Sequence, residues 1–168
     1  MSRAFVNEDS AANQSNVPIE RQVSEQPNYV TEAGHAQLHA KVTELQRQHS
    51  AEAARKDSAD PQHLADMERD LRYFNQRLLS AHVVARASST TKVQIGSWVT
   101  YVDEHDKQRR VQLVGEDQAD AEQGLINWGS PLGRALLGAQ LGDEVLWLRP
   151  AGDLQIEILA IEPAYTTP

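Results

Sequence analysis

Two carboxylates, Asp57 and Asp60, stand close together in the stretch KDSADPQ at residues 56 to 62. Carboxylate oxygens are natural ligands of a hard divalent cation such as Mg²⁺, which keeps several waters and needs only one or two protein carboxylates to complete a site. Aspartate also closes helix ends and turns by local hydrogen bonding, and Asp60 directly before Pro61 has the pattern of an N-cap followed by proline at the first helical position. Capping alone therefore accounts for Asp60. Other polar sets are weaker as chemistry. His35 and His39 lie four apart with Glu32 nearby, a spacing that suits a metal pair, but no third ligand converges on them. Asp103, Glu104, His105 and Asp106 fall between two strand patterns and read as a hairpin turn. Glu116, Asp117 and Asp120 lack the glycine and terminal glutamate of a calcium loop and read as a surface turn. The 168 residues include no cysteine, which excludes disulfides and thiolate zinc sites. No catalytic residue and no resident metal or cofactor are expected.

The elements around KDSADPQ decide where its carboxylates stand. On the N-terminal side, Thr31 is a candidate N-cap and Glu32 suits the positive end of a helix. Apolar residues then recur at Leu38, Val42 and Leu45, and the series continues through the polar positions His49 and Glu52. On the C-terminal side, Leu64, Met67, Leu71, Phe74, Leu78 and Ala81 alternate steps of three and four, the pattern of a coiled-coil seam. Pairing Leu38 with Leu78, Val42 with Phe74, Leu45 with Leu71 and His49 with Met67 keeps the sum of position numbers constant, and its midpoint is Ser58. The spacing thus predicts an antiparallel helical hairpin over residues 29–84 with its tip near 56–61. Each arm is expected to run about 24 residues, or about 36 Å at 1.5 Å per residue. Helices of that length are marginal in isolation, so the base needs an anchor.

That anchor is expected at residues 93–163. IGSWVTYV, RRVQLVG, GLINW, EVLWL and LQIEILAI read as short strands, and SPLGRALLG as a compact helix with Ser130 as N-cap and Pro131 at its first position. An antiparallel sheet around one short helix makes the fold class α+β. Residues 85–92 read as a linker. Residues 1–28, rich in Asn, Ser, Gln and Glu, read as a flexible tail, and residues 164–168 as a second tail. The net charge of −8 argues against a general grip on nucleic-acid phosphates. No stretch has the apolar core of a signal peptide or the length of a membrane span, so a cytoplasmic protein is expected.

YVTEAG (29–34), RLLSAHVV (77–84), VGEDQAD (114–120) and GLINWGSPLGRALLGAQLGDEV (124–145) resemble the Gre family of bacterial transcript-cleavage and elongation factors. The resemblance implies an N-terminal antiparallel coiled coil joined to an FKBP-like C-terminal domain. It further implies a monomer that docks on RNA polymerase by its C-terminal domain and inserts the coiled coil into the secondary channel, meeting nucleic acid only within the elongation complex. In such a factor, acidic tip residues help hold a catalytic Mg²⁺ of the polymerase, and the factor is not itself an enzyme. Carried onto this sequence, Asp57 and Asp60 are the tip candidates for that contact, and Ser130, Pro131, Leu132, Arg134 and Trp128 are the docking candidates.

The tip departs from the family's acidic motif, and the hairpin is shorter by roughly two turns per helix, or about 11 Å of reach. That length is closer to the polymerase-binding regulator of nucleoside diphosphate kinase. The expected function is modulation of elongation, pausing or access of other channel-binding factors. Stimulated transcript cleavage is the first alternative. A prolyl isomerase is another, set back by the scarcity of aromatic residues and the absence of phenylalanine from 93–163. A plain coiled-coil adaptor is a third, set back by the polar seam at His49 and Glu52.

Overall fold

The computed structural model describes residues 19–164; the expected tail stretches 1–18 and 165–168 lie outside the described residues. The elements are β1 (Tyr29–Val30), α1 (Glu32–Ala53), α2 (Pro61–Ser80), β2 (His82–Val83), β3 (Trp98–Asp103), β4 (Gln108–Val114), β5 (Leu125–Asn127), α3 (Pro131–Leu136), β6 (Glu144–Trp147) and β7 (Leu154–Glu162). Short 3-10 turns occur at Lys56–Ser58, Glu116–Gln118 and Ala121–Gln123. By contact density the described chain forms two units, residues 19–23 with Lys41–Gln76, and residues 24–40 with 77–164.

In the first unit, Asp60 starts α2. Its Oδ1 accepts the N–H groups of Gln62 at 2.9 Å and His63 at 3.2 Å, with Pro61 at the first helical position. Val42, Leu45, Met67 and Tyr73 are buried, and Leu64, Leu71 and Phe74 are half-buried. The Lys41 ammonium lies 5.7 Å from the Phe74 ring, and His49 Nε2 lies 3.0 Å from Glu68 Oε1. These partners follow one another in opposite order along the two helices. Residues 19–23 have no regular secondary structure but touch α2: Glu20 pairs with Arg72, and the Arg21 guanidinium lies 3.9 Å from the Tyr73 ring centroid. A tail too polar to bury apolar surface is held there by charge and ring contacts instead.

In the second unit, Thr31 Oγ1 accepts the Gly34 N–H at 3.0 Å and starts α1. The five-stranded sheet has the order β5-β4-β3-β7-β6. Its pairings are antiparallel except that β4 and β5 run parallel, with Gln112 opposite Leu125 and Val114 opposite Asn127. This corrects the expectation of a wholly antiparallel sheet. Between β4 and β5 the chain makes a crossover through two 3-10 turns at 115–124, and a crossover returns a strand in the same direction where a tight hairpin would reverse it. β1 and β2 form a separate parallel pair, Tyr29 opposite His82 and Val30 opposite Val83.

Alternation along β3, β4 and β7 turns Val99, Tyr101, Val111, Leu113, Ile156 and Ile158 into one core, which Leu132 and Leu136 of α3 complete. The stretch 85–92, expected as a linker, contains Ala87 at 3% exposure, whose carbonyl accepts the Ala164 N–H at 3.0 Å. Among the described residues no helix is long and apolar enough to cross a membrane.

The entry to α3 leaves no room for a side chain at Gly133. A Cβ there would stand 2.2 Å from the Asn127 carbonyl oxygen and 2.6 Å from that of Trp128. Gly133→Ala is expected to cost about 2 kcal/mol through overpacking against backbone, read as a lower urea midpoint at unchanged slope. A midpoint equal to that of the unaltered protein would contradict this packing.

Candidate functional site

Three groups of residues carry the features that the sequence marked. At the turn between α1 and α2, Asp57 and Asp60 are both exposed. Asp60 Oδ1 is engaged in capping, while Asp57 lies in the first turn of the 3-10 segment without a side-chain partner among the described residues. The residue that organises this turn is Glu52, which the sequence offered only as a weak seam position. Its Oε1 accepts the Asp60 N–H at 2.8 Å, and one terminal guanidinium nitrogen of Arg55 donates to Oε2 at 2.9 Å and Oε1 at 3.1 Å. The Asp60 N–H first, and Arg55 after it, hold the Glu52 carboxyl below its ordinary range. The signal was present as Glu52 and Arg55 at helical spacing ahead of Asp-Pro.

Glu116 and Asp117 do not form a free surface turn. The Arg77 side chain is 2% exposed, and its Nε donates to Asp117 Oδ2 at 2.6 Å while an NH2 group approaches Glu116 Oε2 at 3.5 Å. Asp117 itself is only 10% exposed. The neighbouring Gln118 accepts the Thr31 hydroxyl at 2.6 Å, so the turn also meets the start of α1. Asp120 caps the next 3-10 turn through the Glu122 N–H. Glu32 pairs with Arg86 and not with either nearby histidine. Among the described residues no group of three or more His, Cys, Asp or Glu side chains is arranged to hold a metal ion.

The docking candidates separate by burial. Ser130 Oγ accepts the Gly133 N–H at 3.1 Å and donates to the Asn127 carbonyl at 2.7 Å, so it caps α3 and ties that helix to β5. Pro131 and Arg134 are exposed on the first turn. Leu132, 5% exposed, packs into the core and shows only its remaining surface in the wall of the groove beside Ser130 and Pro131. Trp128 is half-buried, with its ring 5.3 Å from that of Tyr29. Ser130 and Pro131 border a groove of about 740 Å³ lined by Tyr101, Val111, Ile126, Trp147 and Leu154 and edged by Lys107, Arg109, Arg149 and Asp103. The sequence reading missed this groove because its aromatic lining comes from β3 and β6, which are distant in the chain.

The family model for the C-terminal part of transcription elongation factors GreA and GreB matches residues 88–163. Among curated relatives, the transcription elongation factor GreA of Sinorhizobium medicae is 31% identical over 144 residues, covering 84% of this chain and 85% of that protein. The GreA of Xylella fastidiosa strain 9a5c is 44% identical over 80 residues, which are 47% of this chain and about half, 51%, of that relative. The chain belongs to the GreA/GreB family of transcription elongation factors. The solved structure of GreA factor homolog 1 from Thermus thermophilus aligns with 82% of this chain and 99% of its own at 22% identity and a TM-score of 0.40.

Two outcomes test this geometry. A carboxyl held below its ordinary range in the folded protein contributes stability that is present above the unfolded value, about 4.3 for glutamate, and lost as pH falls through the folded value. The Asp60 amide resonance is therefore expected to shift as the Glu52 carboxyl titrates, with a midpoint below that of a free glutamate, and to lose that shift in Glu52→Gln; a midpoint at or above the free value would contradict the bond. For the buried pair, Arg77→Met or Asp117→Asn alone is expected to cost about 3 kcal/mol, because each leaves a buried charge without its main partner. Arg77→Met combined with Asp117→Leu is expected to recover most of that loss in a double-mutant cycle.

Proposed function

We propose that this elongation factor acts on RNA polymerase, docking through its C-terminal sheet and introducing an antiparallel hairpin of α1 and α2, tip at 56–61, into the secondary channel. The result is altered elongation, pausing or access of other channel-binding factors. The observation that carries this reading is the apolar groove beside Ser130 and Pro131, within the segment matched by the family model. Its floor supplies apolar contact, and Trp128 and Arg134 supply the anchor types that dominate protein interfaces. An FKBP-like description of the C-terminal domain belongs to the same reading. The exposed acidic turn suits a positively charged channel.

The acidic turn favours modulation over cleavage. Asp60 already serves as a cap, and Glu52 and Arg55 hold the loop to α1, so the carboxylates have structural employment. Transcript cleavage remains the second reading on one observation, the exposed carboxylate of Asp57. If it acts, Asp57 and the second oxygen of Asp60 are the groups that meet the Mg²⁺ held by the polymerase. That ion would polarise the attacking water, and the factor would add ligands and no chemistry of its own. The aromatic lining at Tyr101 and Trp147 is the observation on the side of prolyl isomerisation, which a peptide assay resolves directly.

Stalled elongation complexes test the proposal. The protein is expected to displace a cleavage factor from purified polymerase without shortening the transcript. Arg134→Glu combined with Trp128→Ala is expected to weaken that displacement by about tenfold. Asn caps a helix as well as Asp but is not a carboxylate ligand, so Asp57→Asn with Asp60→Asn is expected to leave displacement unchanged. Transcript shortening by the unaltered protein that this double variant abolishes would establish cleavage instead, and failure to displace at any concentration would remove the channel.

A further inference from the structure

Tyr73 is an aromatic residue off the seam. The apolar series on α2 passes through Leu71, Phe74 and Leu78, yet Tyr73 is 9% exposed. The irregular segment at residues 19–23 lies against it. The Arg21 guanidinium lies 3.9 Å from the Tyr73 ring centroid and 4.9 Å from that of Phe74, and its NH1 is 3.4 Å from Asp70 Oδ1. The two rings meet edge to face at 5.1 Å. Glu20 adds an ion pair to Arg72, one turn-neighbour of the same surface. Two π-faces beside a carboxylate suit a guanidinium, since the rings attract its charge and the carboxylate, which Arg69 also reaches at 3.4 Å, takes its N–H groups.

The chain's own cover is held in a manner suited to release. Arg21, Arg72 and Glu20 keep 40%, 56% and 60% of their side chains exposed, Ile19 is 91% exposed, and the other apolar residue of the segment, Val23, is only half-buried. Contacts between exposed charges are screened by salt and contribute little, whereas a large apolar anchor would have locked the segment down.

We propose that Asp70, Tyr73 and Phe74 form a guanidinium-binding surface on the flank of α2, that residues 19–23 occupy it as a displaceable cover, and that an arginine-bearing surface of a protein partner replaces Arg21 there. The part concerning a partner rests on the polymerase reading, with purified polymerase as the partner; the cover itself does not. Free of its cover, α2 offers a stacking and ion-pairing surface midway along the helix, separate from the acidic turn. Binding then proceeds by exchange of one arginine for another, and the affinity observed is reduced by the fraction of molecules still covered.

Two measurements on the full chain test this. Trypsin cuts after arginine only when the side chain can enter its pocket, so the Arg21–Gln22 bond is expected to be cut slowly in the unaltered protein. Tyr73→Leu keeps apolar volume and removes the π-face, and is expected to speed that cut by about fivefold while other sites stay unchanged. Equal rates would overturn the cover. Arg21→Gln with Glu20→Gln is expected to bind purified polymerase about threefold to tenfold tighter than the unaltered protein, with the advantage shrinking in high salt. Equal or weaker binding of that variant would overturn the exchange. Failure of every form to bind polymerase would overturn the channel reading together with the exchange, while the trypsin result would still decide the cover.

Discussion

One cation organises the base of α2. A guanidinium at 2% exposure is costly to bury unless a carboxylate meets it at close range, so Arg77 dictates where the acidic turn at 116–118 must lie. The same residue's carbonyl accepts the Asn28 side-chain amide at 2.7 Å, and that amide also reaches Ser80 Oγ at 3.1 Å. Next to Asp117, Gln118 takes the hydroxyl of Thr31. The chain entering α1, the chain leaving α2 and the crossover between β4 and β5 are thus tied around a single charge. Aliphatic packing could hold these segments together with similar energy, but it would not specify which turn faces which helix end. The buried Asn28 Oδ1, which has no hydrogen-bond partner among the described residues, is the local cost of that arrangement.

Much of the architecture was legible because it follows from local chemistry. Thr31, Asp60 and Ser130 start helices where their side chains can take free N–H groups, and Pro61 and Pro131 follow at positions that tolerate proline. Strand positions were readable from β-branched alternation in segments such as LQIEILAI. What escaped depends on partners distant in sequence. β1 and β2 have two residues each, too short for any period, and exist because Tyr29–Val30 and His82–Val83 are brought side by side. The parallel direction of β5 depends on the path of the crossover, which leaves no mark in the strand itself.

The candidate site was less legible, for a related reason. Carboxylates that suggest metal chemistry in a sequence are in several cases occupied here with backbone N–H groups or with arginine. Asp60 caps α2, Asp103 accepts from His105 and Lys107, Asp120 accepts from Glu122, and Asp117 meets Arg77. In Asp103 those bonds, led by Lys107, hold the carboxyl below its ordinary range, which is the signature of a well-satisfied turn as much as of a working site. Composition cannot distinguish the two uses. Leu132 serves two surfaces at once: helical geometry turns it into the core, where it also forms part of the groove wall beside Pro131.

The short outer strands of the sheet bear on how the protein behaves in a crowded solution. β5 on one side has three residues and β6 on the other has four, although the strands between them are rich in valine, isoleucine and leucine. A sheet of this composition with long free borders would invite another chain to continue its hydrogen-bond ladder. Here either border ends after one or two ladder steps, and Glu144 faces Glu157 across the β6–β7 pair. The sheet therefore offers an incoming strand little to extend and a repulsive charge pair beside the attempt, a safeguard against self-association.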